Sequence, residues 1–299
     1  MKLAFAIYKK ILMKHLKYFI DLSRIKKPIG YMLLFWPCAW GLVIGFDFSG
    51  NLAILAKYIF LFFLGAILMR SAGCIINDIV DKDFDLKVER TKDRPIASGK
   101  VSILQGLIYA SALCLIALFV LLQFNFLTIL LALISMPLAF TYPFMKRFTY
   151  WPQLFLGITF NYGLILGWTS TNSELTIIPL IFYLGAIFWT LGYDTIYGFQ
   201  DIKDDEIIGV KSTSIKFKDN AKLFITLCYL IFFITLSVIG YLEDYNKIYF
   251  YGLIIVLIHL FYIQIKSLKI DSNDNCLKIF KSNNFLGFLV FFSLLVGKI

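Results

Sequence analysis

Long apolar runs recur along this chain at a length that leaves few folds open. They reach roughly 17–25 residues, enough for an α-helix to cross the hydrocarbon core of a bilayer. Nine such spans are predicted, near 29–47, 54–76, 101–123, 126–145, 152–170, 175–199, 221–241, 247–265 and 282–298. Composition agrees: 60% of the 299 residues are hydrophobic and 16% charged, with a mean hydropathy of +0.79. A soluble domain carries about 25% charged residues. No period-two alternation runs over ten-residue stretches, which argues against a membrane barrel. The fold class expected is all-α: a polytopic bundle of nine transmembrane helices with cytoplasmic cap loops.

The net charge of +10 is not a nucleic-acid signature, because the lysines and arginines lie in short loops between apolar runs. Counted with the N-terminus inside, the cytoplasmic side collects residues 1–28, 77–100, 146–147, 200–222 and 266–281, and with them nearly every Lys and Arg. The other side keeps Lys57, Lys247 and Lys298 beside Asp47, Glu174, Glu243 and Asp244. The asymmetry predicts the N-terminus in and the C-terminus out. Residues 1–28 form a separate basic segment, with Phe5, Tyr8, Leu12, Leu16 and Phe19 at helical spacing and lysines opposite. That pattern predicts a helix lying on an anionic membrane face. Lys9, Lys10, Lys14 and Lys17 interrupt any signal-peptide core, so a cleaved leader is not expected. Residues 29–299 are read as one transmembrane domain. The five cysteines (Cys38, Cys74, Cys114, Cys228, Cys276) are scattered and give neither a metal site nor a disulfide framework. His15 and His259 are isolated.

Two acidic stretches stand out against this background. Asn77-Asp78-Ile79-Val80-Asp81-Lys82-Asp83-Phe84-Asp85 ends the second span, and Asp194 through Asp205 ends the sixth. Both follow even-numbered spans, so both fall on the cytoplasmic side. Asn77, Asp81 and Asp85 repeat every fourth residue and share one face of a helix; Asp201 and Asp205 do the same. Clustered carboxylates repel unless a cation neutralises them, and hard oxygen ligands suit Mg²⁺ with substrate phosphates. The arrangement predicts divalent cations held around a diphosphate. Arg94 follows the first stretch in Asp93-Arg94-Pro95 and is expected to grip phosphate oxygens. Lys146 and Arg147, after Thr141-Tyr142-Pro143-Phe144-Met145, lie on the same side, and Arg147 is a candidate partner for a substrate carboxylate. Tyr193 and Tyr197 flank Asp194 as candidate cavity aromatics. Arg70 is a charge inside a span, able to snorkel or to face the site. A cation-coupled transporter would instead place ionisable groups near the bilayer midplane on broken helices.

These residues resemble the UbiA superfamily of intramembrane aromatic prenyltransferases. The resemblance rests on Asn77 to Asp85 with Arg90-Thr91-Lys92-Asp93-Arg94-Pro95. It rests also on Lys27-Pro28-Ile29-Gly30, Leu34 to Trp40, Tyr142 to Arg147, Gly192 to Tyr197, and Asp201 through Gly209-Val210-Lys211-Ser212-Thr213. Within the superfamily the pattern is most similar to the branch that prenylates 4-hydroxybenzoate. A relative acting on haem, a naphthoate or a chlorophyll precursor would share the acidic stretches but not the 34–40 and 142–147 segments. The resemblance implies nine helices with the site toward the cytoplasm. It implies Mg²⁺ held by Asp81, Asp85, Asp201 and Asp205, with Asn77, Asp78, Arg94, Asp194 and Tyr197 binding substrate and Arg147 meeting the benzoate carboxylate. It implies polyprenyl diphosphate and 4-hydroxybenzoate as substrates, a step in ubiquinone synthesis, and a bacterial inner (plasma) membrane location.

Overall fold

The computed structural model describes the backbone of residues 2–89 and 91–299, and their side chains apart from 2–8 and 10–12. Phe5, Tyr8 and Leu12 of the basic segment, and Arg90, lie outside the described side chains. Among the described residues, helix α1 (Lys2–Ser23) is followed by nine long helices: α2 (Pro28–Gly45), α3 (Leu52–Val80), α4 (Ile103–Leu121), α5 (Phe126–Thr141), α6 (Pro152–Thr169), α7 (Ile177–Gly198), α8 (Ala221–Leu242), α9 (Lys247–Leu257, continued as a π-helix over Ile258–Lys266) and α10 (Asn273–Lys298). No strand occurs among the described residues.

Local sequence sets the ends. Pro28 and Pro152 occupy first turns, where a missing N–H costs nothing. Asn51, Ser102, Asn125 and Asn246 cap α3, α4, α5 and α9 through their side-chain oxygens. The last helix is longer than the predicted 282–298: Ser272 caps it at the Asn275 N–H, so a polar first turn joins the apolar run.

Eight helical stretches among the described residues are long and apolar enough to cross a membrane. The exception is the predicted fifth span, present as α6. Its polar residues are spent inside the protein. Asn161 donates to Thr190 at 2.7 Å and to the Gly157 carbonyl at 2.8 Å, and the Gln153 side chain accepts from the Thr213 N–H at 3.0 Å. α6 sits against α2, α5 and α7, and α2 packs in turn on α3 and α10. The α2–α6 seam is closed by glycine: a Cβ at Gly41 would stand 1.9 Å from the Leu164 carbonyl oxygen, and one at Gly167 2.2 Å from that of Cys38. Small residues let the two backbones meet, as membrane helices require in the absence of a hydrophobic drive.

Around this centre run Trp40, Phe182, Trp189 and Phe232, all fully buried. A polar knot sits beside them. Asn283 Oδ1 accepts from Trp189 Nε1 at 2.8 Å and Gln264 Nε2 at 3.1 Å, and Tyr229 donates to Gln264 at 2.7 Å. Gln264 and His259 lie five residues apart on the π-helix, in hydrogen-bond contact with each other. The wider turn of a π-helix aligns such a pair. The outer faces of α4 and α5 carry exposed Leu104, Phe119, Phe126 and Leu133, side chains that suit lipid rather than water.

Candidate active site

The first acidic stretch is a helix end that barely breaks. α3 stops at Val80, a short helical turn resumes over Lys82–Asp85, and the i→i−4 bonds run through the joint: Asp81 N–H to the Asn77 carbonyl at 2.9 Å, Asp85 N–H to that of Asp81 at 2.8 Å. Asn77, Asp81 and Asp85 therefore share one face, as their spacing predicts. The second stretch breaks more sharply. α7 carries Asp194 and Tyr197 and ends at Gly198; Asp201 and Asp205 belong to a helical turn over Ile202–Ile208, joined by an Asp205 N–H to Asp201 carbonyl bond of 2.9 Å. Gly209, at φ +80°, ends that turn in the left-handed conformation that glycine adopts without a Cβ penalty.

Both stretches line one cavity of about 420 Å³. Of the residues singled out from the sequence, Asn77, Asp81, Asp85, Arg94, Asp194, Tyr197, Asp201 and Asp205 are on its wall. Asp78 lies just behind it, buried and paired with Arg24 and with Arg94 Nη1 at 3.2 Å. Arg94 also reaches Asp85 at 2.8 Å, while Lys146 holds Asp81 at 2.6 Å. The other Asp81 oxygen is buried without a partner among the described residues. Burial raises the Asp81 carboxyl above the ordinary carboxylate range, and Lys146 opposes that shift. Lys27, Arg94, Lys146 and Lys211 all face the cavity. Among the described residues no three His, Cys, Asp or Glu side chains converge as a formed metal cage; Arg94 and Lys146 stand between the carboxylates of the first stretch. The donor set is nonetheless the hard oxygen kind that Mg²⁺ takes with few protein ligands, and Asp81 retains an orphaned oxygen for it.

Arg147 departs from its predicted place. It is exposed, is not on the cavity wall, and donates to the Val80 carbonyl at 2.7 Å, capping α3, with its guanidinium 5.1 Å from the Phe84 ring. Its neighbour Lys146 is the one that faces inward. The helical turn at Met145–Phe148 sends the two side chains to different sides. A further guanidinium on the cavity wall, beside Arg24 and Arg94, is that of Arg70. Its Nε is buried with no hydrogen-bond partner among the described residues, and its Cζ lies 5.4 Å from the Phe160 ring. Asp194 and Tyr142 line the same cavity. The sequence signal for Arg70 is a single charge seven positions before Asn77. Arg24, Gln153 and Phe280 carry none: they reach the site from distant segments.

The cap loops are pinned rather than loose. The Lys211 N–H bonds to the Lys146 carbonyl at 2.9 Å, Thr213 shares a 2.6 Å hydroxyl contact with Thr195, and Ser214 donates to the Thr195 carbonyl at 2.8 Å. One wall is aromatic: Tyr197 lies 4.4 Å and Tyr193 5.8 Å, centroid to centroid, from Phe280 of α10. A second cavity of about 570 Å³ runs among α3, α4, α5 and α6, almost wholly apolar. It meets the first at Arg70, Tyr142 and Phe160, which line both.

Two acidic stretches facing one cavity, beneath lysines and beside an apolar chamber within a membrane bundle, define a site for a charged headgroup on a lipid-like chain. The chain belongs to the UbiA prenyltransferase family, whose sequence signature matches residues 34–294. It is 43% identical over 286 residues, 94% of its length and 70% of the relative's, to a mitochondrial 4-hydroxybenzoate polyprenyltransferase of Drosophila pseudoobscura pseudoobscura. It is 42% identical over 279 residues to a 4-hydroxybenzoate octaprenyltransferase of Psychromonas ingrahamii, covering 93% of this chain and 96% of that one. A UbiA homolog from Archaeoglobus fulgidus, solved with GPP and Mg²⁺, superposes with a TM-score of 0.66 at 18% identity, over 93% of this chain and 99% of the other. The protein is a multi-pass membrane protein of that fold.

Proposed function

We propose that this protein transfers a polyprenyl group from polyprenyl diphosphate to carbon 3 of 4-hydroxybenzoate, releasing diphosphate, in ubiquinone synthesis. The observation that carries the reading is the adjacency of two cavities that share Arg70, Tyr142 and Phe160 as wall: a polar one walled by both acidic stretches and an apolar one inside the bundle. Its support in sequence is the relatives of that activity at above 40% identity across more than nine-tenths of the chain.

Asp81, Asp85, Asp201 and Asp205 are the residues that would hold Mg²⁺, which when bound would neutralise the diphosphate and ease its departure; the Archaeoglobus homolog was solved with that ion. Arg94, Lys146, Lys27 and Lys211 add fixed positive charge where the leaving group gathers negative charge. The prenyl tail lies in the apolar chamber. The bond between its first carbon and the diphosphate oxygen breaks, leaving an allylic cation that Tyr193, Tyr197 and Phe280 face with their rings. The carbon ortho to the phenol oxygen then forms the new bond, and its proton leaves to a base or to the released diphosphate. Exclusion of water by the chamber protects the cation. Arg70, which lines both cavities, is placed to receive the benzoate carboxylate; in this reading the role moves to it from Arg147, which is not on the cavity wall.

The catalytic unit is residues 29–299, with 1–28 as a surface segment, in the bacterial inner membrane with the N-terminus and the site cytoplasmic. The test is purified protein offered a prenyl diphosphate with each of several acceptors: 4-hydroxybenzoate, a dihydroxynaphthoate and haem. Transfer to 4-hydroxybenzoate alone is expected. Preference for another acceptor overturns the assignment.

A further inference from the structure

The two faces of helix α1 differ. Leu22 is fully buried in a cluster with Leu68, Ala72 and Ile75. Phe19 meets Tyr109 of α4 edge-on at 5.5 Å, and His15 Nδ1 is 3.3 Å from the Tyr109 hydroxyl. At 100° per residue these side chains share one arc. The opposite arc carries Lys9, Met13, Leu16, Lys17, Asp21 and Lys14, all exposed, with Met13 at 61% and Leu16 at 55%. The exposed mixture continues through Ile25, Lys26 and Lys27. A water-facing arc has no use for Met13 and Leu16, and a lipid-facing one excludes lysine. Apolar side chains flanked by lysines fit the boundary between headgroups and acyl chains, and a positive balance selects an anionic leaflet.

The end of α1 reaches the site. Arg24, one residue past Ser23, has φ +51°, a left-handed conformation in which a residue other than glycine is strained. That turn sends its guanidinium onto Asp78, which Arg94 also holds. Arg24 thus joins the seat of α1 to the first acidic stretch.

We propose that α1 is a docking surface for anionic phospholipid headgroups on the leaflet where the acidic site opens, and that its seat there holds Arg24 against Asp78. The 299-residue chain, with Met13→Cys in a Cys114→Ser background, carries an environment-sensitive fluorophore and is reconstituted into phosphatidylcholine vesicles with or without phosphatidylglycerol, some lipids brominated. In the anionic vesicles the emission shifts to the blue and bromolipid quenching rises several-fold over neutral ones. High salt, or Lys9→Glu with Lys14→Glu and Lys17→Glu, returns both to the neutral values. Amide exchange across residues 78–86 slows with anionic lipid in the native chain but not in the triple variant. Equal quenching in neutral and anionic vesicles overturns the proposal. So does a fluorophore shielded even in detergent, which would assign this face to another protein. Exchange indifferent to lipid overturns the link to Asp78.

Discussion

Replacing Arg70 by glutamine removes the one guanidinium that, among the described residues, lines both cavities. Its Nε has no hydrogen-bond partner among the described residues, and Phe160 lies against its guanidinium, 5.4 Å from Cζ to ring centroid. A hydrogen bond to a charged group contributes about 1.5–3 kcal/mol, and a forked guanidinium–carboxylate pair stands at the upper end of that range. Losing about 2–3 kcal/mol raises the acceptor KM roughly 30- to 150-fold. The loss is confined to acceptors that carry a carboxylate, so a 4-hydroxybenzoate analogue with an amide in its place reacts equally poorly with both enzymes. Arg70→Lys keeps the charge without the fork and falls between. Gly30→Ala reports on the same group from another side, because a Cβ there would stand 2.9 Å from Arg70 Nε. Steady-state kinetics in detergent, varying each substrate in turn, reads these effects. A 4-hydroxybenzoate KM unchanged in Arg70→Gln, or an equal loss toward the prenyl diphosphate, refutes the carboxylate role.

Three further outcomes follow from the geometry. Asp81 is buried with its carboxyl raised by that burial, so its ionised form opposes folding, and the opposition lifts as pH falls through the folded-state value. Asp81→Asn should unfold in EDTA at or above the native temperature near pH 7 and lose the native protein's gain on acidification, while transfer activity disappears. Arg24→Gly and Arg24→Ala both forfeit the Asp78 pair, but only glycine accepts φ +51° freely; chemical unfolding should find the glycine variant more stable by about 1 kcal/mol. Asn283→Leu strips the acceptor from Trp189 and Gln264 in a sealed interior and should cost about 2–3 kcal/mol of stability by the same assay.

Much of this arrangement was legible in the sequence because membrane helices advertise themselves by length and hydropathy. Acidic clusters at their ends are equally conspicuous against the lysine-rich loops. The i, i+4 spacing of Asn77, Asp81 and Asp85 survives because the helix ladder runs through Asp81 almost unbroken. What the sequence hides is direction. Lys146 and Arg147 are adjacent and alike in charge, and only the turn at Met145–Phe148 decides that the lysine faces Asp81 while the arginine caps α3. α6 falls below the hydropathy of a free-standing span since Gln153 and Asn161 find partners on other segments. Phe280 joins the aromatic wall from α10, some eighty positions from Tyr197, and no local pattern marks such a meeting.

The account turns on the two acidic stretches acting as one site. Its most direct test is prenyl transfer to 4-hydroxybenzoate by the purified protein with Mg²⁺, with EDTA, and in the single variants Asp81→Ala and Asp201→Ala. Activity that requires Mg²⁺, stops in EDTA, returns on adding the ion back, and is lost in either variant is the predicted result. Turnover that persists in EDTA, or survives the loss of one stretch, contradicts it.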